Sequence, residues 1–182
     1  MKNLFIIIIL NLLLLSCTKQ ENVFDSFDYS FAGTFSEVYS IKFTQSDTVY
    51  VRYDWIGRNF DDITSVPKEN TNYYGILNSE ERLKLFDYIQ KVNLFKYKSE
   101  YFENYLDGSS YGINIQKKTK SKTVLVHSHN APKEIDSISN WIRSIKQKLK
   151  LKEIKKNITF ETRKGVLPPP PPPPPPIKTS NN

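Results

Sequence analysis

A single cysteine among 182 residues, Cys17, excludes any disulfide within the chain. Six glycines leave no Gly-rich loop of the kind that cradles phosphate. Two histidines, His127 and His129, fall short of the three or four protein ligands a zinc site normally takes, and Cys17 lies far from both in sequence. Nucleophilic catalysis needs a hydroxyl or thiol beside a base that is itself oriented. No Gly-x-Ser-x-Gly elbow occurs, and Gly108-Ser109-Ser110-Tyr111-Gly112 has its serines at the wrong spacing. Asp61 and Asp62 are adjacent on a loop, whereas carboxylate-pair hydrolysis needs two groups facing across a cleft. These shortages point away from an enzyme, and no cofactor is expected.

What the chain has in quantity is aromatic and basic side chains. Aromatics make up 13% of the residues, mostly Tyr and Phe, which favour strands and supply large buried areas. The 26 Lys and Arg exceed the 19 Asp and Glu, for a net charge of +7. Much of the excess sits in Lys146, Lys148, Lys150, Lys152, Lys155, Lys156, Arg163 and Lys164. Such a run reads as a solvated helix end and basic linker, or as a patch for an anionic surface. With no recognition motif, nucleic acid is not an expected partner.

Met1-Lys2-Asn3 is a short positive start, followed by the apolar residues Leu4 to Leu10 and Leu12 to Leu15, with Asn11 between them. Roughly 20 apolar residues are needed to span a bilayer, so this run reads as a signal peptide. Leu14-Leu15-Ser16-Cys17 resembles the lipobox of bacterial lipoproteins. The resemblance implies cleavage between Ser16 and Cys17, a diacylglycerol on the Cys17 thiol, and membrane attachment through two or three acyl chains. Thr18, rather than Asp, follows Cys17, which implies an outer-membrane address.

Four stretches follow: residues 1–16 as signal peptide, 17–33 as lipidated tether, 34–151 as a small α+β domain, and 152–182 as a basic and polyproline tail, largely disordered. Phe24, Phe27, Tyr29 and Phe31 can dock part of the tether. In the domain, Tyr39, Ile41 and Phe43, then Val49, Val51, Tyr53 and Trp55, alternate around a polar turn as in a hairpin with one buried face. Tyr73 to Leu77 reads as a third strand after a long loop from Ile56 to Asn72. Asn78 and Glu81 form a capping box ahead of a helix with the stripe Leu83, Phe86, Ile89 and Val92. A second hairpin runs through Tyr111, Ile113 and Ile115 to Thr123–His127. Pro132 then opens a helix whose apolar face is Ile135, Ile138, Trp141, Ile142, Ile145 and Leu149. The fold class is α+β, with antiparallel hairpins forming a sheet covered by two amphipathic helices.

The Val38-Tyr39-Ser40-Ile41 start, the Tyr74-Gly75-Ile76-Leu77 strand before the capped helix, and the final hairpin and helix resemble a family of uncharacterised bacterial lipoprotein domains. The resemblance implies a fold and no catalytic residues. Nine prolines, Pro168 to Pro176, read as a polyproline II rod of roughly 28 Å; a low-complexity tail with no partner is the simpler reading, and a stiff spacer or a ligand for an aromatic groove is the functional one.

If the last strand continues, alternation puts His127 and His129 on one face, near enough to share a metal. A polar strand end leading into the Asn130 helix start is the simpler reading. The leading expectation is a non-enzymatic envelope lipoprotein that binds another envelope protein or the cell wall. The alternative is a metal-dependent or hydrolytic envelope enzyme using His127 and His129.

Overall fold

The computed structural model describes residues 23–56, 67–105 and 108–167. Cys17, Ser16, Asp61, Asp62 and the proline run lie outside them. Among the described residues, eight strands make one sheet: β1 (Ser26–Gly33), β2 (Glu37–Phe43), β3 (Thr48–Ile56), β4 (Thr71–Ile76), β5 (Glu100–Phe102), β6 (Ser109–Lys117), β7 (Lys120–His127) and β8 (Lys152–Glu153). Their spatial order is β5-β7-β6-β1-β2-β3-β4-β8, and every pair is antiparallel except β5 with β7. The α-helices among the described residues are α1 (Ser79–Val92), α2 (Lys133–Lys148) and the single turn α3 (Arg163–Val166), with a short 3-10 turn at Leu94–Lys96. The protein is α+β with a mostly antiparallel sheet. Among the described residues, no helix is long and apolar enough to cross a membrane.

The stretch expected as tether holds the central strand. β1 pairs with β2 on one side and β6 on the other, so Ser26–Gly33 belongs to the sheet. Its alternation is regular: Phe27, Tyr29 and Phe31 join the apolar core, while Asp28 and Ser30 point to the opposite face. Asp28 and Ser30 are nevertheless fully buried. Polar residues between aromatics read as a solvated segment only if one face of the strand meets water, and here neither does.

The core gathers Phe27, Tyr29, Tyr39, Ile41, Phe43, Val49, Val51, Ile113 and Val124 from the sheet with Leu85, Ile89, Ile135, Ile138, Trp141 and Ile142 from the helices. The Tyr29 hydroxyl hydrogen-bonds Ser139 at 2.8 Å, and Trp141 stacks on Phe43 with ring centroids 6.3 Å apart. Fully burying one such aliphatic or aromatic side chain stabilises by about 1.5–3 kcal/mol. The capping box of α1 is formed as the sequence predicts: Glu81 N–H donates to Asn78 Oδ1 and Asn78 N–H to Glu81 Oε2, both at 2.9 Å. Its buried stripe differs by position, with Leu85, Ile89 and Val92 inside and Leu83 66% exposed. The inward face of α2 is the expected one, with Leu149 as its C-terminal cap.

The stretch from Lys152, expected as a largely disordered tail, is ordered and packed as far as Leu167. β8 pairs with β4, and Ile154 N–H donates to Asn72 O at 2.9 Å. Beyond it the chain crosses the sheet face that carries Asp28, Ser30 and Ser40. Glu161 N–H donates to Asp28 Oδ2 at 2.7 Å, and Thr162 Oγ1 lies 2.7 Å from Ser30 Oγ, itself 2.8 Å from Ser40 Oγ. Lys42 Nζ donates to Thr159 O at 2.8 Å and lies 3.3 Å from Asp28 Oδ1. Phe160, Thr162 and Val166 are buried. Gly112 makes the close approach possible, since a Cβ there would sit 2.9 Å from Leu125, 3.2 Å from Thr162 and 3.3 Å from Val166.

Two of the basic residues expected to be solvated are structural. Lys146 Nζ meets both Glu37 carboxylate oxygens at 2.6 Å and lies over the Tyr39 ring, 4.5 Å from its centroid. Arg163 grips Asp54 with two nitrogens, at 2.8 and 2.9 Å.

Candidate functional site

An irregularity between β2 and β3 shapes the site. Val38 pairs with Trp55 but Tyr39 pairs with Tyr53, so Asp54 is an extra residue in β3. A bulge of this kind breaks alternation and re-aims the side chains beside it. Unbroken alternation would send Trp55 to the core with Tyr53. Instead Asp54 and Trp55 both line a cavity of about 540 Å³ on the face that residues 159–167 cross as a strap, with Val38, Ala32, Ser110 and His127.

These residues form a row. Trp55 pairs with Val38, Val38 with Ala32 and Ala32 with Ser110, and the Tyr111–Val126 pair puts Ser110 beside His127. The row crosses β3, β2, β1, β6 and β7, and four inter-strand steps make a floor of roughly 19 Å. Val166 and Leu167 form one wall, and Gly33, Thr34 and Gly108 line the groove as well. Thr34 N–H and Oγ1 both donate to Gly108 O, at 3.0 and 2.8 Å, which ties that rim together.

The charge in the groove is internally matched. Asp54 accepts from Arg163 and from Arg52 Nε at 2.9 Å, and the hydrogen bond to Asp54 raises the Arg163 pKa further above its ordinary value. What the groove offers a ligand is the Trp55 indole, the His127 ring, the Thr34 and Ser110 hydroxyls, short aliphatic side chains and backbone. Pockets of this make-up, apolar with few polar groups, are the usual form of a ligand site.

β7 ends at His127, so strand alternation does not reach His129; the two imidazoles meet instead around an aromatic ring. Both imidazoles stack on Tyr105, at 4.1 and 4.8 Å between centroids. His127 Nε2 lies 3.1 Å from Tyr105 O, and since a carbonyl only accepts, Nε2 is the donor in this hydrogen bond. Glu103 accepts from the His129 backbone N–H at 2.6 Å and from the Asn130 side-chain amide. The His129 N–H holds the Glu103 carboxyl below its ordinary pKa. Among the described residues, no three His, Cys, Asp or Glu side chains cluster as a metal site would require.

The sequence reading identified His127 and missed Trp55, Val38, Ala32 and the wall from Val166 to Leu167. Trp55 was assigned to the opposite face, and nothing in the local sequence marks the bulge that moves it. No protein-family model matches the chain, and no curated protein matches it.

Proposed function

We propose that this chain is a lipid-anchored protein of the bacterial envelope whose α+β domain is a non-enzymatic binding module. The groove floored by Trp55, Val38, Ala32, Ser110 and His127 is its recognition surface. In this reading α1 and α2 cover one face of the sheet and leave the groove on the other. The observation that carries it is the groove itself: a concave, mainly apolar surface with an indole at one end and its carboxylate already paired. The anchor rests on the Leu14-Leu15-Ser16-Cys17 resemblance, and the outer membrane is the proposed address.

Two experiments test the parts separately. Cys17→Ala is expected to leave an unprocessed, unlipidated precursor, and normal processing of that variant contradicts the anchor. For the groove, a photoreactive benzoylphenylalanine replaces Thr34 in cells, in the full chain and in a chain ending at Leu167, with Glu80 on exposed α1 as control. A discrete adduct with another envelope component from position 34 but not 80, lost on adding Trp55→Ala, is expected. No position-34 adduct in either chain removes the binding reading.

A further inference from the structure

We infer that the groove recognises polyproline II segments and that its resident occupant is the chain's own Pro168–Pro176 run. This rests on the groove being the recognition surface proposed above, and it names both the ligand class and a regulator of that surface.

Three observations converge. The first is the exit point. Leu167 lines the groove, and both it and His127 also line a second depression of about 300 Å³, so the chain leaves the fold at the His127 end. The next residue is the first of nine prolines. The second is local conformation. Leu167 has φ −66° and ψ 135°, close to polyproline II geometry, so a rod can begin at the groove wall without a change of backbone conformation. The third is chemical fit. A proline run has no N–H to donate and presents only carbonyl acceptors and apolar rings. Trp55 supplies a flat apolar face and an indole N–H donor, and Val38, Ala32 and Val166 supply further apolar contact. Aromatic-lined grooves recognise such rods because their conformation is already ordered. A floor of roughly 19 Å matches about six residues at 3.1 Å each, fewer than the nine available.

Attachment at the lip of the groove makes the first prolines an intramolecular ligand at high effective concentration. An external proline-rich segment must displace them, so the tail sets a threshold for partner binding.

The test uses calorimetric titration with a synthetic nonaproline peptide. The chain ending at Leu167 is expected to bind it saturably, and the full chain at least tenfold more weakly. Replacing Pro168–Pro176 by a Gly/Ser run of equal length leaves the described body untouched and is expected to restore the affinity of the shortened chain. Trp55→Ala in the shortened chain is expected to lose at least tenfold, while Phe102→Ala, in the second depression, changes little. Equal affinity of full and shortened chains overturns occupancy by the tail. So does a concentration-dependent dimer that the deletion abolishes, because the rod then sits in a second copy. No binding to the shortened chain, or loss with Phe102→Ala instead of Trp55→Ala, overturns the assignment of this groove to polyproline. In that case a surviving position-34 adduct keeps the groove as a binding surface for another ligand, and loss of both removes it.

Discussion

Two regions of the sheet are held by opposite chemistries. On one, Tyr29, Tyr39, Ile41, Phe43 and Val51 meet Ile138, Trp141 and Ile142, and the cohesion is apolar area and ring contacts. On the other, Asp28, Ser30, Ser40 and Lys42 meet Glu161, Thr162 and the Thr159 carbonyl, and the cohesion is hydrogen bonds and ion pairs in a narrow seam. An apolar face tolerates any partner of suitable shape. A polar seam has to be matched atom by atom, because a buried polar group left unpaired costs about 1–3 kcal/mol. The strapped face therefore specifies one position for the C-terminal segment, and it ends in the groove.

Substitutions on each face should separate the two chemistries. The largest effect is expected on the aromatic face: Ile142→Ala, at a fully buried position, should cost about 2–5 kcal/mol in urea unfolding. A loss below 1 kcal/mol would mean that α2 is not integral to the core. On the strapped face, Gly112→Val puts branched carbons against Leu125, Thr162 and Val166 and should cost about 1–3 kcal/mol. It should also make residues 152–167 the first site of limited proteolysis, which Ile142→Ala should not do. Equal patterns in the two variants would erase the distinction between the faces.

The smallest effect is a pH dependence. Burial raises the Asp28 carboxyl above its ordinary pKa, with the Glu161 N–H and Lys42 pulling it down less strongly. A folded value above the unfolded one contributes stability that is present below the unfolded pKa and lost as pH rises through the folded one. Asp28→Asn should therefore gain on the wild type as pH rises above the ordinary carboxylate range, as followed by urea midpoints. A difference that is constant with pH would show that Asp28 titrates alike in both states.

The aromatic face was largely legible in the sequence. Alternation through Tyr39–Phe43 and Val49–Tyr53, the Asn78 capping box and the Ile135–Ile145 stripe are local patterns that imply their own geometry. The strapped face was not. Its residues lie in stretches that read as tether and tail until the chain brings Glu161 to Asp28 and Thr162 to Ser30 across more than a hundred positions. Likewise β5, three residues on an edge, shows no period of its own and depends on β7 for its pairing. Of the groove, only His127 was singled out, because the bulge at Asp54 reverses the face that alternation assigns to Trp55.

Whether the segment after α2 is part of the fold or a tail is decided most directly by native-state amide hydrogen exchange. Two backbone amides report on it: Ile154, donating to Asn72 O, and Glu161, donating to the Asp28 carboxylate. Both are expected to exchange with protection comparable to amides of the central strand β1. Exchange of either at the rate of an unstructured peptide would show that the strap does not hold, and the groove would lose its wall with it.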